Sequence, residues 1–138
     1  MAIQSGRGAC MGILKSAAYT KVCTPGFLFA LTNLLPTDAQ KTHVLQLLDV
    51  LSRSRPGNFD SNLKVEILQT SFFEMFKLVD FGGPLNNAEI SIVFGYVQRS
   101  NMIVFCGFTN SLKVSPGILA KSQYDFEEII QQLPHDSL

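Results

Sequence analysis

Residues 102–116, MIVFCGFTNSLKVSP, decide how the rest of the chain is read. Met102, Ile103, Val104, Phe105 and Cys106 form an apolar run with β-branched and aromatic members, which predicts a buried strand. The run stops at Gly107-Phe108, turns polar over Thr109-Asn110-Ser111, and presents Lys113 before Ser115-Pro116. A Ser hydroxyl can accept from the first amides of a helix, and Pro suits the first helical position, so a helix is expected from Ser115. Its apolar face is Phe126, Ile129, Ile130 and Leu133; Glu127, Glu128, Gln131 and Gln132 make the other face.

Working towards the N-terminus, Gln98-Arg99-Ser100-Asn101 reads as a hairpin turn, and 89–97 as a strand interrupted by Gly95. Residues 80–87, DFGGPLNN, are turn-formers. Residues 72–79 make another strand, with Glu74 and Lys77 as its charges, preceded by a turn at 69–71. Leu63, Val65 and Ile67 alternate with Lys64 and Glu66, a period of two and hence a strand. Before residue 60 the period changes. Val44, Leu47, Leu48 and Leu51 lie on one stripe of a helix opened by Thr37-Asp38-Ala39-Gln40, the pattern of a capping box. An earlier helix starts at Thr24-Pro25, carries Phe27, Leu28, Leu31, Leu34 and Leu35, and ends at Pro36. Residues 19–23 supply one more short strand.

The predicted order is strand, two helices, four strands, helix. Short turns between the later strands imply an antiparallel meander. The fold class is α+β: two layers, a helical hairpin packed on an antiparallel sheet of four to five strands, with a C-terminal helix. One domain is expected over 19–133, with 1–18 a flexible N-terminal extension and 134–138 a tail.

Composition narrows the functions. Hydrophobic residues make up 46% of the 138 and charged residues 16%, enough apolar material for a packed core. No run approaches the roughly 18 apolar residues of a membrane helix, so no membrane association and a cytoplasmic location are expected. Cys10, Cys23 and Cys106 have no metal-ligand spacing, and His43 and His135 stand alone, so neither a metal nor another cofactor is expected. Residues 1–59 carry six cations against two acids, and 60–138 five against nine. A polyanion-binding surface therefore has to be the helical half, or a local patch in the otherwise acidic half.

The order of elements, with its punctuation, resembles the RelE/HigB/ParE toxin superfamily of bacterial and phage toxin–antitoxin systems. The resemblance rests on Thr24-Pro25-Gly26-Phe27, on Phe72-Phe73-Glu74-Met75-Phe76-Lys77, and on Ile103 to Phe108 followed by a polar loop and Ser115-Pro116. The last of these is similar to the phage-related HigB-like branch. The resemblance implies an RNA-directed, metal-independent endoribonuclease with an antitoxin partner, in which a cation stabilises phosphate charge beside a base or acid. The candidate catalytic residues are Lys113, Tyr124 and Lys77, with Glu74 and Asp125 beside them. The candidate phosphate-binding residues are Lys113, Lys121, Arg99 and Ser115. This chain departs from that branch: Asn110 and Ser111 stand where it has adjacent lysines, and no arginine lies near Ser91 and Ile92. Weak or lost RNA cleavage is therefore expected. The alternative is a non-enzymatic ligand-binding or oligomerising module of the cystatin-like or NTF2-like kind, a possible homodimer, which the eleven phenylalanines and low charge suit. The free face of the sheet discriminates between them: polar and cationic for a nuclease, apolar and concave for a binder, flat and apolar for a dimer.

Overall fold

The structure is a computed structural model and describes residues 18–68, 74–80 and 89–133. In chain order it contains β1 (Thr20–Cys23), α1 (Pro25–Leu34), α2 (Asp38–Ser52), β2 (Lys64–Leu68), β3 (Met75–Asp80), β4 (Ile90–Val97), β5 (Met102–Thr109) and α3 (Pro116–Gln132). The expected α+β class, the helix pair and the C-terminal helix are all present. The start of the strand expected at 72, the turn at 69–71, most of the 80–87 loop, nearly all of the 1–18 extension and the 134–138 tail lie outside the described residues.

Local chemistry sets the helix starts. The Thr24 hydroxyl accepts from the Phe27 amide at 3.1 Å, with Pro25 in the first turn. Thr24 also hangs α1 on β5: its amide donates to the Phe105 carbonyl at 3.0 Å and its hydroxyl to the Cys106 carbonyl at 3.3 Å. The Thr37–Gln40 capping box at the start of α2 is formed in both directions. Ser115 caps α3 by accepting from the Ile118 amide at 3.2 Å.

The five strands lie in the order β1-β5-β4-β3-β2. From β2 to β5 all pairs are antiparallel, whereas β1 pairs parallel with β5, Thr20 opposite Met102 and Cys23 opposite Phe105. The β4–β5 hairpin turns through Gln98–Ser100 and Asn101, which takes a left-handed φ of 51°, a conformation that Asn tolerates. The β4–β5 ladder shifts register between Val93 and Phe94, so that Cys106 is the extra residue on β5.

The helices divide between the two faces of the sheet. Phe27, Leu31, Val44, Leu48 and Leu51 of α1 and α2 pack with Phe76, Leu78, Ile92, Phe94, Ile103 and Phe105. Phe126 of α3 packs on the opposite face with Met75, Val93, Val97, Val104 and Cys106. The expected pair of layers thus gains a third. The reason lies in β4 and β5, whose residues are nearly all buried on both sides, so each face needs an apolar cover. Phenylalanines fill the space under α1 and α2: Phe76 stacks on Phe94 at 5.6 Å, and Phe27 meets Phe105 and Phe108 at 5.8 and 5.9 Å. No helix among the described residues is long and apolar enough to cross a membrane.

Candidate functional site

The register between β2 and β3 sets Glu66 opposite Lys77 and Lys64 opposite Val79, while Val65 opposes Leu78. Leu78 and Val65 belong to the core under α1 and α2, so Lys64, Glu66 and Lys77 point to the α3 side of the sheet. Between β5 and α3 the chain crosses that side as the loop 110–115. Two side chains from the sheet tie the loop down. The buried Ser91 hydroxyl donates to the Ser111 carbonyl at 2.7 Å, and Lys77 Nζ lies 3.5 Å from the Leu112 carbonyl. Lys77 also faces the Glu66 carboxylate at 3.6 Å, with 15% of its side chain exposed against 63% for Glu66. Lys113 follows Leu112 directly and is exposed, as are Asn110 and Ser111. Lys77 and the loop that carries Lys113, far apart in sequence, are therefore brought together.

The other candidates are dispersed. The Ser115 hydroxyl is used as the helix cap. Lys121 binds both oxygens of Asp125 at 3.0 Å. Asp125 is only 14% exposed and sits against the first turn of α1, where Oδ2 lies 3.8 Å from the place a Cβ on Gly26 would occupy. A carboxylate there is favoured by the positive end of α1. Tyr124 is exposed and its hydroxyl donates to Glu128 at 3.0 Å; that hydrogen bond, together with the carboxylate's charge, pushes the phenol pKa up. Tyr124 stands two residues from the buried Ser122, on the side of α3 away from the sheet. Arg99 is in the β4–β5 turn, at the opposite end of β5 from the loop. Eight residues of strand separate the two ends, about 25 Å at strand rise. Glu74 precedes β3 and is exposed.

Sequence reasoning missed Glu66 and Ser91. The alternation of 63–67 marks Glu66 as a solvent-face residue, but its partner depends on the β2–β3 register, which the alternation alone does not specify.

A second feature lies on the outer edge of β5. β1 ends opposite Phe105, so residues 106–109 have no strand against that edge among the described residues. An apolar groove of about 380 Å³ opens there, with Ala30 and Leu34 of α1 on one side and Ile118 of α3 on the other. Gly107 lets α3 approach the strand, because a Cβ at that position would overlap the Ser122 hydroxyl. The nearby Cys106 thiol is buried and its pKa is raised, chiefly by desolvation. No family model matches this chain, and neither a curated protein nor a solved structure matches it.

Proposed function

We propose that this chain is a cytoplasmic toxin-like domain of a bacterial or phage toxin–antitoxin pair, which meets RNA on the α3 side of β2 and β3 and cleaves it weakly or not at all. The observation that carries the reading is a polar cluster on that side of β2 and β3, where Lys64, Glu66, Lys77 and the loop bearing Lys113 gather beside the apolar part that α3 covers. The order strand, two helices, four strands, helix supports the same reading. Weak cleavage follows from how the cations are used. Lys77 contacts Glu66 and a loop carbonyl, Lys121 is paired with Asp125, and the Tyr124 phenol is held by Glu128. Transition-state stabilisation needs donors aimed at the developing charge, and Lys113 is the main one left at the loop. The antitoxin would rest on apolar surface such as Phe29, 71% exposed on α1.

The β5-edge groove favours a second reading, a binding module without catalysis. Against it, most of the phenylalanines that suggested a ligand pocket are spent on packing the sheet. The deciding experiment induces the chain in a bacterial host, follows growth, and incubates the purified protein with single-stranded RNA. Slow or absent cleavage and near-normal growth are expected, together with binding of a small helix-turn-helix protein encoded beside it. Prompt growth arrest that Lys113→Ala plus Tyr124→Phe relieves would overturn the loss of catalysis. An absence of RNA binding even at low salt would remove the RNA reading and leave the binding module.

A further inference from the structure

We propose that Glu66 is an internal competitor for RNA phosphate: its carboxylate occupies Lys77 and sets how tightly the α3-side face of β2 and β3 holds a single strand. The inference rests on the reading of that face as RNA-facing.

Three observations lead to it. Glu66 and Lys77 are direct cross-strand partners, so their side chains rise from the same face at the same level. Their 3.6 Å separation is longer than the roughly 2.7–2.9 Å of a close ammonium–carboxylate hydrogen bond, and the other contact of Lys77, to the Leu112 carbonyl, is 3.5 Å. An ammonium has three donors, so Lys77 is held by two long contacts and can turn towards a better acceptor. Glu66, at 63% exposure, can swing away into water, whereas Lys77, at 15%, has its stem packed on the sheet and stays where it is.

The charges make the competition unequal without Glu66. Lys64 lies two residues from Glu66 on the same face of β2, and Lys113 is one residue from the carbonyl that Lys77 reaches. Among the described residues of β2 and β3, Glu66 is the acidic side chain placed on this face beside Lys64 and Lys77. Removing its charge leaves Lys77 with the Leu112 carbonyl contact and with donors to offer a phosphate oxygen. A phosphodiester offers Lys77 a single negative charge shared over two acceptor oxygens, as the carboxylate it replaces does.

The test measures binding of a short uridine-rich single-stranded RNA by fluorescence anisotropy across a salt series, with wild type, Glu66→Gln, Lys77→Met and Glu66→Gln/Lys77→Met. Glu66→Gln keeps the shape of an exposed side chain, so folding is retained, and a thermal melt checks this for each variant. The expected result is a gain of about three- to tenfold in affinity at low salt for Glu66→Gln. The dependence of log K on log salt should steepen by about 0.7, the increment for one more phosphate neutralised on a single strand. The gain should disappear in the double variant. Equal affinity and slope in wild type and Glu66→Gln would overturn the inference alone, as would a gain that survives in the double variant. Absence of RNA binding in every protein, with each one folded, would overturn the RNA-facing reading and the inference with it.

Discussion

Gly95 of β4 lies against the tip of the Phe126 ring of α3. A Cβ on residue 95 would stand 2.7 Å from Phe126 Cζ and 2.8 Å from Cε1, and the ring is fully buried. In the sequence Gly95 looks like a weakness in a strand. In the fold it is the floor on which the central aromatic residue of α3 rests, so the third layer depends on it.

Gly95→Ala should therefore destabilise the protein by about 1–3 kcal/mol, because the ring must shift within a close-packed interior. Urea denaturation followed by circular dichroism reads this directly. A variant as stable as the parent would mean that α3 can slide along the sheet.

Leu48→Ala should cost about 2–5 kcal/mol, since Leu48 is 3% exposed on the stripe that packs under the sheet. Leu45→Ala, three residues away and 53% exposed, should change stability by less than about 0.5 kcal/mol. Similar losses at both positions would show that α2 is rotated from the observed orientation.

Asn110→Lys with Ser111→Lys should strengthen RNA binding at low salt and steepen the salt dependence by about 0.7 for each added lysine that reaches a phosphate. Both positions are exposed, and the Ser91 bond goes to the Ser111 backbone carbonyl, which the substitution leaves in place. Unchanged affinity would assign the 110–115 loop a connecting role only.

In Cys10→Ser protein, both remaining thiols should react slowly with a disulfide reagent near neutral pH. The thiolate is the reactive form, and burial raises the pKa of each thiol, that of Cys106 far more than that of Cys23, which Lys21 partly offsets. Raising the pH should speed Cys23 first, and denaturant should expose both. Rapid native labelling of Cys106 would show that the β5 edge opens.

Much of this architecture could be read before any fold was known, because the signals are local. Thr24, Thr37 and Ser115 satisfy amides three residues on. The alternation at 63–67 and the helical stripe at 44–51 are properties of a chain a few residues long. The candidate site was only partly legible. Lys113, on a polar loop, and Lys77, on a strand, could be named from residue type and the resemblance, but not their nearness to each other, and Arg99 was grouped with residues that lie at the other end of the sheet.

The sequence by itself determined which segments are helix and which are strand, since caps, turn residues and hydrophobic period act within one or two turns of chain. Tertiary structure alone decided that β1 runs parallel beside β5, that α3 takes the face opposite α1 and α2, and that Glu66 stands across from Lys77. Each of these is a pairing between segments distant in sequence. It is selected by the need to bury both faces of β4 and β5 at once, a condition that no single segment expresses.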